Sequence, residues 1–442
     1  MNSFRAGPRT SAPESGAAAA AGAAKAAAED DVRPRLRAVL TALCITEITS
    51  WGVLYYAFPV LAPAITDDTG WSASASTAAF SVALAVSGIV GIPVGRLLDR
   101  RGPHLLMTAG SAVAVLAVLA VAWAPNLWWF AAAWVLAGVA MSAILYQPAF
   151  AALTRWYGPG HLAALTTVTL VAGLASTVFA PLTVALAAHF SWRGVYVVLA
   201  AVLAVVTIPL HAVVLRRPWP PPPAAASGGP GADKHAPAAP HSPPDVRPVI
   251  RSRPFLLLVA AMTIGSFGMY AGVVNLVPLL TERGSSTTVA AWALGLGGAG
   301  QVVGRLGYAA LARRSGVRGR ITGIFAATAL TTAMLAFVPG PVWLLVVISV
   351  LAGAARGMAT LLSATAVTER WGAASYGTLS GILSAPAMAA SALSPWAGAA
   401  LAGPLGGYAH MFALLAALGG TAAVLALGTV PAHMPTARQR VE

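Results

Sequence analysis

Two residues stand where charge is expensive. Glu47 lies near the middle of the apolar run 41–51, and Arg356 is flanked by Gly353, Ala354, Ala355 and Gly357. A carboxylate inside hydrocarbon can take up and release a proton, which couples protonation to conformation. A guanidinium at the same depth offers a planar fork to a carboxylate. That carboxylate is either an anionic solute or a membrane partner such as Glu47. The small neighbours of Arg356 allow another helix to approach closely. The purely structural readings are a glutamate hydrogen-bonded to a neighbouring helix and an arginine held within packing. Neutral hydrogen-bonding groups accompany the pair: Tyr55, Tyr56, Tyr146, Gln147, Tyr270, Asn275 and Gln301. Gln147 and Asn275 are the stronger candidates, because a lipid-facing amide is costly.

The surrounding chain is built for lipid. It has 442 residues, 58% hydrophobic and 9% charged. A soluble domain carries roughly a quarter charged residues. The net charge of +14 does not signal nucleic-acid binding, because the basic residues sit in short segments between apolar runs. A membrane span needs about 20 apolar residues. Six such runs are expected at 37–62, 74–97, 103–123, 127–153, 161–188 and 192–215, and six more at 254–280, 288–311, 320–338, 342–367, 375–401 and 407–430. The fold class is therefore an all-α membrane protein, twelve helices in two six-helix bundles.

The expected divisions are a disordered tail (1–35), a first bundle (36–216), a Pro/Ala/Gly-rich linker (217–253), a second bundle (254–431) and a tail (432–442). Lys25, Glu29, Asp30 and Asp31 interrupt the Ala-rich start, which argues against a signal peptide. Of the 27 Lys and Arg, all but Arg193, Arg283 and Arg356 fall on one side if both termini do. By the positive-inside rule that side is the cytoplasm and the membrane is the cell membrane. Trp123, Trp128 and Trp129 fit an aromatic belt at the other face, and His211 is expected at an interface.

Other chemistries lack their residues. Cys44 is the single cysteine, so an intramolecular disulfide is impossible. No GxxxxGK loop for nucleotide and no metal-ligand spacing is found, so no cofactor or metal is expected. No catalytic constellation is present either, and the protein is not expected to be an enzyme.

The two halves resemble each other. Ile48 to Gly52 parallels Ile264 to Gly268, Trp134 to Gly138 parallels Ser349 to Gly353, and Arg155-Trp156 parallels Arg370-Trp371. Gly95-Arg96-Leu97 parallels Gly304-Arg305-Leu306. Parallel repeats place a substrate site between the halves near the midplane. Gly95-Arg96-Leu97-Leu98-Asp99-Arg100-Arg101-Gly102 resembles the loop signature of the major facilitator superfamily. The resemblance implies twelve helices, alternating access, and a conformational latch formed by Gly95, Arg96, Asp99, Arg100 and Gly102 with Gly304 and Arg305 of the second half. The second half departs from it, with Tyr308 at the place of Asp99, so the latch is expected to be asymmetric. Trp51-Gly52, Tyr55-Tyr56, Tyr146-Gln147-Pro148 and Trp192-Arg193-Gly194 resemble the bacterial monocarboxylate and organic-anion branch. Drug/proton antiporters of the family carry an arginine early in the fourth helix, where Trp134 stands, and a Gly-Pro pair in the fifth, where Ala180-Pro181 stands.

The expected function is secondary transport of a small organic anion, with H+ as coupling ion and lipid as surroundings. Drug or metabolite efflux is the alternative, and a non-transporting membrane sensor a remote one. Oligomeric state, direction and substrate identity are not encoded in these features.

Overall fold

The computed structural model describes residues 36–220 and 245–431. The expected tails and most of the linker lie outside the described residues. The described residues form helices without any strand. In the first half α1 is Leu36–Thr69, α2 is Ala73–Arg101 and α3 is Pro103–Ala122. Then α4 is Leu127–Ile144 continued by Tyr146–Tyr157, α5 is His161–Ala172 continued by Ala175–Ala187, and α6 is Trp192–Val214. In the second half α7 is Arg253–Val274 continued by Leu276–Glu282, α8 is Thr287–Arg314 and α9 is Val317–Phe337. The last three are α10, Val342–Thr365, α11, Tyr376–Leu405, and α12, Tyr408–Ala426.

Nine stretches among the described residues are long and apolar enough to cross a membrane. One of them, Leu127–Ala187, has 61 residues. As one straight helix it would reach about 90 Å, roughly three times the hydrocarbon thickness. The chain instead turns back at Gly158–Gly160, where Gly158 adopts φ 52°, so this stretch supplies α4 and α5. Helices begin where a side chain can accept an orphan N–H. Ser72, Asn126, Ser191, Ser252 and Ser286 each cap the residue three positions on, at 3.2, 2.9, 3.3, 3.4 and 3.3 Å.

The breaks in α4 and α7 each lie just before a proline. Pro148 has no N–H, and α4 is interrupted three residues earlier at Leu145. Pro278 follows the break in α7 at Asn275, whose side-chain amide donates to the Ala271 carbonyl at 2.9 Å. In α1 the helix widens into a π-turn at Gly52–Tyr56, where Gly52 admits the ring of Phe179.

The buried side chains fall into three cores. One combines both halves, from Val39, Leu98 and Leu165 to Phe255, Tyr308, Val367 and Leu379. The other two are confined to one half each: Val53 to Leu203 in the first and Ala271 to Leu415 in the second. The shared core lies at the end of the molecule carrying Arg100, Arg101, Arg313 and Arg314, called here the basic end. The halves are thus packed together at the basic end and have separate cores at the far end. Trp123, Trp128 and Trp129 stand exposed at that far end. His211 is not interfacial as expected. It is fully buried in α6, with Nδ1 2.8 Å from the Ser111 hydroxyl, because α3 packs over it.

Glycines set the helix spacing. A Cβ on Gly138 in α4 would overlap the Ala83 carbonyl in α2, and one on Gly353 in α10 would overlap the Gly297 carbonyl in α8. These equivalent contacts fix the register of the repeat and correct one sequence pairing. In this register Gly95 corresponds to Ala309 and Asp99 to Arg313, while Arg305 corresponds to Gly91. Gly304 and Arg305 therefore stand inside α8, well before its end at Arg314, and not in a loop. The repeated Gly-Arg-Leu triplet misled because it lies five residues out of register (309 − 304), or about 1.4 helical turns.

The α8–α10 contact makes a stability prediction. Gly353→Val places a side chain against the Gly297 carbonyl and should cost about 1–3 kcal/mol. Gly307→Ala meets nothing within 4 Å and should be neutral or gain up to about 1 kcal/mol. Thermal melting of the purified variants distinguishes these outcomes.

Candidate transport site

The two halves enclose a cavity of about 190 Å³. Trp51 of α1, Tyr146 and Gln147 of α4 and Tyr270 of α7 line it, with methionines and hydroxyls between them. Tyr146 and Gln147 reach it because α4 is broken at Leu145. Gln147 lies over Gly91, where a Cβ would stand 2.8 Å from its Oε1. The serines Ser87, Ser142, Ser266, Ser363, Ser384 and Ser391 also line the cavity. No sequence signal singles out these serines from the many others in apolar runs.

Glu47 lies one layer behind the wall. It is fully buried, and its Oε2 accepts a hydrogen bond from Trp51 Nε1 at 3.1 Å. Its Oε1 has no partner among the described residues. The Trp51 ring, 5.0 Å from Tyr146 and 5.4 Å from Tyr55, separates this carboxylate from the cavity. Tyr55 also packs on Tyr56 and Phe80, within the aromatic layer and not on the cavity wall. Asn275 is buried at the break in α7, with its side-chain amide turned back onto the Ala271 carbonyl. Gln301 is half-buried in α8, with its backbone carbonyl against Gly357.

Arg356 and Glu47 form no ion pair among the described residues. Arg356 is buried within the second bundle, in a small chamber between α7, α9, α10 and α12. The glycine contact between α8 and α10 brings the two backbones too close for its side chain to pass between them, and it turns into the bundle.

Arg305 is the cation that the sequence pattern misplaced. Its guanidinium is buried, crosses to the first half and donates from Nη1 to the Thr169 carbonyl of α5 at 2.8 Å. Gly173 leaves the space for it, since a Cβ there would overlap Nη1. Its Nε has no acceptor among the described residues. Arg305 does not line the cavity, but its charge lies within electrostatic range of Tyr56, Tyr146 and Tyr270. Its depth, well inside the α8 run, was the available signal.

At the basic end Asp99 joins the halves. Its carboxylate accepts from the Gly377 and Thr378 N–H groups at 2.9 and 2.7 Å and from the Thr378 hydroxyl at 2.8 Å. These are orphan donors in the first turn of α11. Gly95 and Gly377 allow the approach, each facing the other's carbonyl. The Asp99 backbone carbonyl is held separately by Trp219 Nε1 at 3.1 Å. Trp219 lies on Gly102, and Arg155 stacks over its ring at 4.6 Å. Arg96 and Arg100 are exposed and make no hydrogen bond or ion pair at this contact among the described residues. In the second half, buried Arg320 pairs with Glu369 at 2.6 Å, and Arg370 donates to Thr429. Burial lowers the Arg370 pKa to about 10.

Two helical bundles around a shared cavity, joined at one end by polar contacts, have the architecture of a membrane carrier. The Major Facilitator Superfamily model matches residues 43–382, and the chain belongs to that family. Monocarboxylate transporter 13 of Bos taurus is 27% identical over 270 residues, which is 60% of this chain and 57% of the relative. The same transporter of Rattus norvegicus is 26% identical over the same shares. The matched region thus spans little more than half of either relative. Two crystal structures of FucP share the fold at 13% identity. One, of the E. coli fucose:proton symporter, has a TM-score of 0.66, and the other, in the outward conformation, 0.65. Each covers 88% of this chain and 97% of the neighbour.

The Asp99 contact is testable by accessibility. Cys44 is buried and is the single native cysteine, so a cysteine introduced at buried Ser380 reports opening at the basic end. Hydrogen bonds to a charged group contribute about 1.5–3 kcal/mol each. Asp99→Ala should raise maleimide labelling of that cysteine at least about tenfold, because about 1.4 kcal/mol is a factor of ten. Unchanged labelling would show that the contact does not hold this end shut.

Proposed function

We propose that the protein is a proton-coupled carrier of a small organic anion, of the monocarboxylate type, working by alternating access in the cell membrane. The observation that carries this reading is Arg305, a guanidinium buried between the halves, within electrostatic range of the cavity tyrosines Tyr146 and Tyr270, whose Nε has no acceptor among the described residues. It can offer N–H groups to a carboxylate that enters the cavity. The volume of about 190 Å³ is below the roughly 300–1,000 Å³ of drug-sized pockets, which favours a small acid over a bulky drug. The similarity to monocarboxylate transporters supports the same class.

Glu47 is the proton acceptor in this reading. With Arg305 charged and Glu47 ionised, the empty site is neutral overall. An anion on Arg305 and a proton on Glu47 leave it neutral again. An anion without a proton leaves one net negative charge to be carried through hydrocarbon, at a cost of several kcal/mol. One proton per monovalent anion therefore keeps both reorientations inexpensive. Trp51 transmits between the two, since it holds Glu47 on one side and lines the cavity on the other.

Asp99 with Gly95, Gly102, Gly377 and Thr378 acts as the latch. The predominance of basic residues at this end makes it cytoplasmic, with both termini on that side. The shared core then closes the cytoplasmic side, and the two separate cores mark the side from which solute enters. Release of Asp99 from α11 permits the halves to rock.

Vesicles reconstituted with the protein and given an inward proton gradient should accumulate short monocarboxylates. Arg305→Gln should lower apparent affinity by about 10–100-fold, as expected for losing charge-assisted hydrogen bonds of about 1.5–3 kcal/mol. Glu47→Gln should abolish gradient-driven accumulation while anion exchange continues. If no acid moves, or Arg305→Gln transports normally, the proposal fails.

A further inference from the structure

Arg356 remains unexplained by that cycle. It is 9% exposed and its Nε is buried without an acceptor. No hydrogen bond from its guanidinium and no ion pair is present among the described residues. The described acids of the second bundle are engaged elsewhere: Glu282 accepts from the Tyr408 N–H at 2.8 Å, and Glu369 pairs with Arg320. A buried cation without a counter-charge is among the most costly features a membrane bundle can contain.

The guanidinium borders a chamber of about 20 Å³. That is room for one water or one small ion. Thr328, Thr331, Thr332 and Ser349 line it with hydroxyls. Each hydroxyl now donates to a carbonyl one turn back, at 2.9, 2.9, 2.8 and 2.8 Å. Such bonds are easily exchanged, because those carbonyls also belong to the helix ladder. The hydroxyl protons can therefore turn inward to an acceptor. Gly297 completes the cradle: a Cβ there would stand 3.1 Å from Nη2 of Arg356. The chamber adjoins the central cavity, and both are lined by Met269 and Thr328.

We infer that this chamber binds one small inorganic monoanion, chloride in a cell, on Arg356, reached from the central cavity past Met269 and Thr328. A neutral water would fit the volume but leave the charge uncompensated. An organic carboxylate is too large for it. The anion belongs to the second bundle alone, so it remains in place while solute enters and leaves at Arg305. It serves as the counter-charge that lets α10 carry an arginine at this depth.

The test uses the purified full-length chain in detergent, without organic acid, with chloride exchanged for gluconate at constant ionic strength. A ligand that binds the folded state raises stability with the logarithm of its concentration above Kd. The melting midpoint of the unaltered protein should rise in this way with chloride. Arg305→Gln should keep the dependence, which separates this site from the transport site. Arg356→Gln should lose it and melt at one temperature in both salts. Should Arg356→Gln not fold, crystals of the unaltered chain grown in bromide decide the matter, with an anomalous peak expected beside Arg356. The inference is overturned by equal melting in chloride and gluconate, by a dependence that Arg356→Gln retains or Arg305→Gln loses, or by a bromide map empty at Arg356.

Discussion

Asp99 accepts three hydrogen bonds from the first turn of α11, and the packing of one half on the other is organised around that contact. Gly95 and Gly377 bring the backbones within reach, and the orphan N–H groups of a helix N-terminus supply the donors. Among the described residues the carboxylate forms no ion pair with a side chain across this contact. A carboxylate held by backbone N–H groups is released by separating the helices, without leaving a buried partner charge behind. The shared core beside it adds apolar area, which gives the closed end most of its cohesion.

Hydrocarbon surroundings govern the remaining polar groups. No water is available there, so each freed backbone group and each charge needs an internal partner. Asn275 shows how a polar side chain is met beside the break in α7: its amide donates to the Ala271 carbonyl, which also accepts the Asn275 backbone N–H. Glu47 and Arg305 illustrate the charged groups. Each has one partner and one unpaired atom, which leaves capacity for a proton or an anion. A fully satisfied charge would be structural, and a wholly unsatisfied one would be too costly without a ligand.

Helix interruptions connect these groups to the cavity. The break at Leu145 turns Tyr146 and Gln147 inward, and the π-turn at Gly52–Tyr56 follows directly on Trp51. The glycine stripes act in the opposite sense. They press α8 against α10 and α2 against α11 so closely that large side chains must leave by other directions. Arg356 is directed into its own bundle for this reason, while Arg305 finds an exit at Gly173 and crosses to α5.

The sequence alone determined the membrane-spanning character, the two halves and the presence of charge at depth, because hydropathy, proline and basic loops act locally along the chain. It also carried Asp99 as a latch candidate through a short local motif. Tertiary structure decided which atoms Asp99 meets, since Gly377 and Thr378 lie 278 and 279 positions away. It decided that Tyr146, Gln147 and Tyr270 share a cavity while Asn275, Tyr55 and Gln301 do not line it. It separated Arg356 from Glu47 and carried Arg305 across to the Thr169 carbonyl of α5. Those outcomes depend on helix rotation and approach distance. Both are set by which glycines face one another across an interface, and in a chain with 44 glycines no local pattern reveals that pairing.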